Sequence, residues 1–533
     1  MTDVPGPGTL CEMFERQAQA CPERIAIHSQ GRDLTYGALA DQAARIAAWL
    51  SARGMPRGDR VAMILPNSPE YVSWYLGILR AGGIAVALNP ETTPAELAAT
   101  LSHSAPFAVV SGTKTSSVLS EALGRLGTAQ PGLSGAPFSG PKFLVRVEDS
   151  GRNPPPANCH VALHSDILKE ISDPLAGWPV LNDLAQLIYT SGTTGRPKAV
   201  TLSHRNISAN CRSILGYLAL TRDDSAFVTL PFFYSYGNSL LVTHMAVGGR
   251  LILADNFVFW NSALDLMEQQ QATGFAGVPA SYAMLLHKSD FRKRRFAALR
   301  YLTCAGGGLA PAVVEQLRSA VPHVKLFLMY GQTEATARLS TLMPDELDAK
   351  PGSIGRGIPG VALDVRDDIG APVPCGEVGE IVARGENIMA GYWNDPQETA
   401  TVLRPEGLRT GDLARMDEDG YLYIVGRKSD IIKSGAYRIN PKEIEEVILS
   451  LKPVAEVAVV GLPDEIWGEA PVAFVVASAG AGSIDEGQII EHCRQNLPRY
   501  KLVREVRFVE TLPRTASGKI RRTFLREQAP SIH

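Results

Sequence analysis

Apolar and polar residues follow two different periods along the first hundred positions. The stretch from Tyr36 to Arg53 has the spacing of an amphipathic helix, and so does Tyr71 to Ala81, which follows a helix start at Ser68 to Glu70. Between them, the short apolar run from Arg60 to Leu65 predicts a buried strand. Because such alternation is typical of parallel sheets covered by helices, we expect an α/β fold.

The pattern changes twice further along the chain. Residues 113–156 are rich in Gly, Pro and Ser and have few sustained apolar periods, so we expect a loop-rich surface excursion there. The strand and helix rhythm resumes beyond Leu181 and continues to about Gly426. From Lys428 onward the spacing predicts a separate small α+β unit, with a helix from Asn440 to Glu443 onward, strands at 454–462, 470–477 and 503–509, and a helix at 484–496.

Length and composition describe a globular protein of more than one folding unit. The chain has 533 residues, which exceeds the size of one ordinary core. Apolar residues make up 45% and charged residues 20%, as in soluble domains. A formal net charge of -3 gives no overall attraction for nucleic acid or an anionic membrane, and we interpret the basic run Phe291 to Arg295 as a solvated face.

Cysteine usage and the N-terminus bear on the compartment. Seven cysteines without a Cys-x-x-Cys pair argue against a disulfide framework and a structural zinc site. The N-terminus lacks a basic start with an apolar core, and no run approaches eighteen apolar residues. We therefore expect a cytoplasmic protein with no membrane span.

The segment from Tyr189 to Lys198 carries the strongest chemical signal. β-rich runs precede it at Leu184 to Tyr189 and follow it at Ala199 to Leu202, so the pattern predicts a strand, turn and strand hairpin. Glycines that direct amides at an anion, hydroxyl donors and a cation predict a polyphosphate site, formed by Thr190, Ser191, Gly192, Thr193, Thr194, Gly195 and Lys198. The P-loop of nucleotide triphosphatases is excluded, because its lysine follows a glycine directly and opens a helix.

Four further motifs follow in order, and together they carry a family resemblance. They are Tyr330 to Glu334, Leu408 to Asp412, Gly426 to Asp430 and Pro513 to Lys519. The chain resembles the adenylate-forming superfamily of acyl-CoA synthetases, carrier-protein adenylation domains and luciferases, over about residues 10–525. The order of five motifs leaves little room for coincidence.

The resemblance implies a fold and an activity. It implies a large N-terminal domain of stacked sheets with covering helices, residues 1–426, and a small mobile C-terminal α+β domain, residues 427–533, which carries a catalytic lysine. The implied reaction joins a carboxylic acid to ATP with Mg²⁺, releases pyrophosphate and passes the acyl group to the thiol of coenzyme A. Ser429 and Ala436 depart from the family pattern at the hinge and thiol-tunnel motifs, which bears on the details of domain rotation.

Residue roles follow from the same resemblance. Lys198 and its loop would hold the β- and γ-phosphates, Thr333 the α-phosphate and Glu334 the Mg²⁺ ion. Lys519 would neutralise charge during adenylation. The remaining nucleotide and thiol positions are Asp412 and Arg427 for the ribose, Gly306, Gly307, Gly308, Tyr330 and Gly331 for the adenine, and Lys433 and Gly435 for the thiol tunnel.

The acid pocket is implied by the segment after Pro231 and by one position further along, with Tyr234, Tyr236, Gly237, Asn238 and Val278 as its residues. Amino-acid-activating relatives place an aspartate near position 234 to pair the α-ammonium, and this chain has none there. Burying an ammonium without a counter-charge is costly, so we expect an acyl or aryl acid.

Three alternatives stay open at this point. The acyl group could pass to the phosphopantetheine arm of a separate carrier protein, since only fourteen residues follow Lys519 and they leave no room for a carrier domain. A luciferase-like oxygenase would use the same adenylate, and a silent binding module would keep the fold without the chemistry. The presence of Lys519, Glu334 and Asp412 argues against the silent module.

Overall fold

The computed structural model describes residues 6, 8–126, 138, 140–148, 159–170, 177–190, 198–254, 259–435, 437–464, 467–478, 484–514 and 520–528. The chain divides into two compact units. The first contains Met1–Ala349, Gly357–Ala362 and Ala383–Leu408, and the second contains Lys350–Arg356, Leu363–Val382 and Arg409–His533. The expected boundary after residue 426 differs from this grouping and remains a prediction.

Helices occur in both units. They are α1 (Leu10–Ala20), α2 (Tyr36–Ala52), α3 (Pro69–Arg80), α4 (Pro94–Ser104), α5 (Ser116–Leu126), α6 (His164–Ile167), α7 (His204–Leu218), α8 (Ser235–Val247), α9 (Trp260–Gln269), α10 (Pro279–Lys288), α11 (Pro311–Ala320), α12 (Pro396–Val402), α13 (Pro441–Leu449), α14 (Glu486–Asn496) and α15 (Arg522–Gln528). Short 3₁₀ turns lie at Thr113–Thr115, Phe291–Lys293, Thr333–Ala335, Pro344–Glu346, Lys428–Asp430 and Arg499–Lys501.

The strands are β1 (Ile25–Ser29), β2 (Arg32–Thr35), β3 (Arg60–Ile64), β4 (Ile84–Ala87), β5 (Ala108–Ser111), β6 (Phe143–Arg146), β7 (His160–Leu163), β8 (Leu184–Thr190), β9 (Lys198–Ser203), β10 (Ser225–Val228), β11 (Arg250–Leu253), β12 (Gly274–Gly277), β13 (Tyr301–Cys304), β14 (Lys325–Tyr330), β15 (Ser340–Leu342), β16 (Arg356–Gly357), β17 (Val361–Arg366), β18 (Val378–Gly385), β19 (Gly391–Tyr392), β20 (Leu403–Arg404), β21 (Gly407–Met416), β22 (Leu422–Arg427), β23 (Ile432–Ser434), β24 (Tyr437–Ile439), β25 (Val454–Asp464), β26 (Gly468–Ala477) and β27 (Glu505–Phe508).

Two large, mostly parallel sheets form the first unit. One has the strand order β16-β15-β14-β13-β12-β10-β11-β1-β2, and the other has the order β19-β9-β8-β4-β3-β5-β6-β7. The side chains of Thr35 and Ser68 cap the N-termini of α2 and α3 by accepting a hydrogen bond from a backbone amide of the first turn. The helix start predicted at Ser68 is therefore confirmed. The expected α/β fold with covering helices is confirmed.

The second unit contains a sheet with the order β24-β23-β26-β25, and β27 pairs with β26. Helices α13 and α14 pack on this sheet around a core that includes Ile444, Val459 and Cys493. A further sheet, with the order β17-β18-β21-β20 and with β22 beside β21, carries the motif at Asp412. The small α+β unit expected from the tail pattern is confirmed, with each expected helix and strand present within a few residues.

Residues 113–156 differ from the expected loop-rich excursion where the structure describes them. Helix α5 buries Leu119, Ala122 and Leu123, and strand β6 pairs in parallel with β5. The interpretation was wrong for these elements, because serine and glycine on the solvent side of α5 hid a helical spacing of apolar residues. In the described part of the chain, no helix is long and apolar enough to cross a membrane.

Candidate active site

Most of the expected site residues of the first unit lie at one edge of one sheet. Strands β10, β12, β13 and β14 are neighbours and run parallel, so their carboxyl ends meet there. The segments at these ends carry Tyr234, Tyr236, Gly237 and Asn238 after β10, Val278 after β12, Gly306, Gly307 and Gly308 after β13, and Tyr330, Gly331, Thr333 and Glu334 at β14. The fold thus gathers residues that are a hundred positions apart in sequence.

The turn after β14 is built for close backbone contact. A Cβ atom at Gly331 would lie 2.0 Å from the carbonyl oxygen of Ala337, so only glycine fits there. Thr333 and Glu334 begin the 3₁₀ turn Thr333–Ala335, and the Thr333 hydroxyl lies 3.3 Å from the Ser235 hydroxyl. The turn therefore presents the Thr333 hydroxyl next to the start of α8.

Tyr392 joins the carboxylate to the cation of the expected phosphate site. Its hydroxyl donates to Oε1 of Glu334 at 2.9 Å, and the Lys198 ammonium lies 5.5 Å from the centre of its ring. Lys198 also forms an ion pair with Glu398 on α12. Burial, together with the neighbouring Glu334 carboxylate, raises the pKa of the Tyr392 phenol, so it stays a hydrogen-bond donor.

The expected hairpin is confirmed on both of its sides. Strands β8 and β9 pair antiparallel, with Thr190 opposite Lys198, and the Thr190 hydroxyl lies 3.5 Å from the Lys198 carbonyl oxygen. The positions expected to bind phosphate between them, Ser191, Gly192, Thr193, Thr194 and Gly195, lie outside the described residues. Lys198 thus opens the second strand of the hairpin.

The glycines after β13 form a surface without side chains. Gly306 has φ +85°, in the left-handed region that favours glycine, and a Cβ atom there would lie 3.4 Å from Cγ1 of Val278. A Cβ atom at Gly307 would lie 3.3 Å from Pro279, and nothing lies within 4 Å at Gly308. Since all three are exposed, a planar group could lie against their backbone.

Of the residues expected in the acid pocket, some are partly exposed and others are buried. Tyr236 donates its hydroxyl to the Thr303 carbonyl oxygen at 2.9 Å, and the half-buried Tyr234 packs its ring on Phe233 at 4.4 Å between centroids. A Cβ atom at Gly237 would lie 2.1 Å from the Pro231 carbonyl oxygen, so this position requires glycine. Asn238 is buried, and its amide nitrogen has no hydrogen-bond partner among the described atoms.

A buried arginine lies directly behind Tyr236. Arg338 is 3% exposed, and its guanidinium carbon is 4.0 Å from the centre of the Tyr236 ring. Its nitrogen atoms contact the Ser239 hydroxyl at 3.4 Å and the Met329 sulfur at 3.3 Å. Within the described ranges Arg338 has no carboxylate partner, and its contacts, which also include the Ala337 carbonyl oxygen at 3.4 Å, are with neutral groups.

In the second unit, the expected ribose residues lie opposite each other. Asp412 on β21 pairs with Arg427 on β22, and Nε of Arg427 is 3.0 Å from the Asp412 carboxylate. Glu380, 5% exposed, holds the turn before Asp412 by accepting from the Gly411 amide at 3.0 Å and from Arg409 at 3.0 Å. The backbone turn before Asp412 is therefore fixed, while the Arg427 side chain remains half exposed.

The expected thiol-tunnel residues lie on another sheet of the second unit. The Lys433 amide donates to Glu469 at 2.7 Å, and the Gly435 amide donates to the Trp467 carbonyl oxygen at 2.7 Å. Gly435 has φ +57°, which explains a glycine at this turn. Ala436 and the expected catalytic Lys519 lie outside the described residues.

Sequence reasoning did not find Tyr392, Glu398, Arg338 or Glu380. Each of these residues is buried or contacts a partner that is distant along the chain, and no local spacing in the sequence indicates it. For Arg338, its place four residues after Glu334 was the one available sequence signal.

Comparison with known proteins adds to this geometry. A family model described as AMP-binding enzyme matches residues 14–393, and one described as AMP-binding enzyme C-terminal domain matches residues 443–519. The chain belongs to the AMP-binding enzyme family. It is an AMP-forming ligase of the acyl- or aryl-CoA synthetase type, as the resemblance of its motifs implied.

Relatives of this AMP-binding enzyme act on different acids. It is 33% identical to a long-chain-fatty-acid–CoA ligase of Bacillus subtilis, covering 100% of this chain and 97% of that protein. It is also 33% identical to a feruloyl-CoA synthase of Amycolatopsis, covering 95% and 96%. The crystal structure of ATP-bound MatB from Rhodopseudomonas palustris superposes with a TM-score of 0.85 at 30% identity, covering 97% of this chain and 98% of that one.

Proposed function

We propose that this ligase activates an organic acid in two steps. In the first, a carboxylate oxygen of the acid bonds to the α-phosphorus of ATP, and the bond from that phosphorus to the β-phosphate oxygen breaks, which releases pyrophosphate. In the second, the sulfur of coenzyme A bonds to the acyl carbon, AMP leaves, and the thiol proton passes to solvent. Both steps bring anions together or separate them, so the site must supply fixed positive charge and hydrogen-bond donors.

The observation that carries the proposal is the placement of Glu334 and Lys198 on opposite parts of Tyr392, beside Thr333. A carboxylate, an ammonium and a hydroxyl are the groups that a magnesium-bound triphosphate requires. Mg²⁺ takes oxygen ligands, often one or two carboxylates plus substrate phosphates. In the described residues no cluster of three or more metal-ligating side chains occurs, and a single carboxylate fits an ion that phosphates complete.

Each residue then has a role. Glu334 would hold Mg²⁺, and Lys198 with its hairpin would bind the β- and γ-phosphates. Bound Mg²⁺ supplies positive charge to the phosphate oxygens. Asp412 and Arg427 would bind the ribose, with the glycines after β13 and Tyr330 at the adenine. Lys519 would approach the α-phosphate during adenylation.

The buried arginine supports an acid without an ammonium group. Arg338 lies against Tyr236 without a carboxylate partner in the described structure, and a buried charge is costly until it is compensated. The acid's own carboxylate is an anion that would compensate this charge. An α-ammonium would be repelled by it, which supports the expectation of an acyl or aryl acid rather than an amino acid.

Coenzyme A is favoured over a carrier protein as the acceptor by exposed aromatic residues in the second unit. Trp467 is 40% exposed with the Arg504 guanidinium 5.7 Å from its ring, and Tyr437 stacks on Tyr500 at 4.3 Å. Aromatic faces with nearby cations suit a phosphorylated nucleotide, which coenzyme A carries and a pantetheine arm on a carrier lacks. Transfer to a separate carrier protein remains the second candidate.

We also propose that the protein is cytoplasmic, that its domain boundary follows residue 426 and that its C-terminal domain rotates between the two steps. The oxygenase and silent-module alternatives are not proposed, since the chain is an AMP-forming ligase and retains Glu334, Asp412 and Lys519.

The proposal is tested by measuring the two half-reactions separately. Lys519→Ala should reduce acid-dependent exchange of labelled pyrophosphate into ATP by orders of magnitude, while transfer from a supplied acyl-adenylate to coenzyme A stays near the wild-type rate. Lys452→Ala, at another lysine of the second unit, is the matched control and should leave both rates unchanged. Equal loss of both half-reactions in Lys519→Ala would contradict the assigned role.

A further inference from the structure

We propose that Tyr392 is a positioning residue that aims the Glu334 carboxylate, an inference that rests on the proposed role of Glu334 in holding Mg²⁺. The Tyr392 hydroxyl donates to Oε1 of Glu334 at 2.9 Å. A carboxylate has two oxygens and about four acceptor sites, so this bond leaves Oε2 available for a cation. A neutral donor on one oxygen fixes the direction of the other.

Tyr392 is held rigidly enough to do this. It lies on β19, which pairs antiparallel with β9, so that Tyr392 is opposite Val200. Its amide donates to the Thr399 hydroxyl at 2.9 Å, and its side chain is only 9% exposed. The preceding Gly391 has φ +144°, and a Cβ atom there would lie 2.9 Å from Thr399. The backbone that carries the Tyr392 phenol is therefore fixed in position.

The same segment also holds the backbone of the Glu334 turn. The Met389 amide donates to the Glu334 carbonyl oxygen at 2.9 Å, and the Asn387 side chain donates to the Ala335 carbonyl oxygen at 3.2 Å. Thr336 ends the turn with φ +65°, an uncommon value for a residue with a side chain, and its hydroxyl donates to the Asn387 carbonyl oxygen at 2.7 Å. Backbone and side chain of Glu334 are thus both positioned from residues 387–392.

Tyr392 also places this carboxylate relative to the phosphate hairpin. Its ring lies 5.5 Å from the Lys198 ammonium, and Lys198 is the first residue of β9, the strand that pairs with β19. Lys198 directs its charge to Glu398 rather than to Glu334. Both ionic groups therefore lie against Tyr392, and Lys198 is paired with Glu398 and not with the Glu334 carboxylate.

The test is metal binding rather than turnover. Mn²⁺ binding is measured by electron paramagnetic resonance on protein saturated with α,β-methylene-ATP, which cannot release pyrophosphate. Tyr392→Phe keeps the ring and removes the donor, and it should weaken Mn²⁺ binding about tenfold, in the range found when partners of metal ligands are removed. Tyr36→Phe removes a buried hydroxyl that donates to the Gly249 carbonyl oxygen at 2.7 Å, and it should leave Mn²⁺ binding unchanged.

A double-mutant cycle separates positioning from a general structural effect. If Tyr392 acts through Glu334, Tyr392→Phe should add nothing to the loss caused by Glu334→Gln. Wild-type Mn²⁺ affinity in Tyr392→Phe, or additive losses in the double variant, would overturn the inference. If Glu334→Gln itself binds Mn²⁺ as the wild type does, the metal role of Glu334 fails instead. Thermal melting of each variant shows whether it is folded.

Discussion

The stability of the first unit should fall in mild acid because of His204. This residue is the first of α7, is 1% exposed, and has no hydrogen-bond partner at either ring nitrogen among the described residues. Burial lowers the pKa of the His204 imidazole from 6.5 to about 4. Its place at a helix N-terminus further disfavours the positive form.

The sign and size follow from proton linkage. Between pH 6.5 and about 4 the unfolded chain binds a proton at His204 that the folded chain does not, so stability is present above the unfolded pKa and is lost as pH falls. One unit of pKa difference corresponds to about 1.4 kcal/mol, so His204 alone should make the first unit about 2 kcal/mol less stable at pH 5 than at pH 7.

The assay is urea unfolding followed by tryptophan fluorescence at both pH values, since Trp49 and Trp74 are buried in the first unit. His204→Leu removes the titrating ring. Its free energy of unfolding should therefore fall by about 2 kcal/mol less than that of the wild type when the pH is lowered from 7 to 5. His287→Gln, at an exposed histidine on α10, is the control and should follow the wild type. An equal pH dependence of wild type and His204→Leu would refute the reasoning.

Two further predictions concern the substrates. Arg338→Met removes the buried positive charge and should raise KM for the acid about tenfold, equivalent to about 1.4 kcal/mol, with KM for ATP unchanged. Arg338→Lys keeps the charge and should bind the acid nearly as well as the wild type. Both are measured by pyrophosphate release, and an unchanged KM for the acid in Arg338→Met would contradict the role. Coenzyme A should have a lower KM than pantetheine, and Trp467→Ala should reduce that difference; equal KM values for both thiols in the wild type would favour the carrier protein as acceptor.

Local features of the sequence predicted the fold well. The hairpin of β8 and β9 and the helix starts at Ser68 and Asn440 depend on neighbours within a few positions, so spacing alone indicates them. Helix α5 was missed because its buried positions are few and its other face carries serine and glycine.

What spacing could not indicate is where distant side chains meet. Tyr392 lies 58 positions from Glu334, and Glu398 lies 200 positions from Lys198. These contacts exist because β19 pairs with β9 at one edge of a sheet, and a pairing of two residues leaves no periodic signal. The burial of Arg338 was likewise hidden, since a charged residue in a sequence is most often exposed.

The pairing of β19 with β9 positions Tyr392 and Lys198 relative to each other. Lys198 begins β9, and the neighbours of Tyr392 are fixed on the same strand, because the Ala390 amide donates to the Thr201 carbonyl oxygen and the Trp393 amide donates to the Ala199 carbonyl oxygen. A slip of one residue in this pairing would turn Tyr392 to the other face of the sheet and remove its bond to Glu334. The register of β19 on β9 thus positions both Lys198 and the carboxylate proposed to hold Mg²⁺. ATP bound at the hairpin would therefore meet a metal ligand that is already oriented.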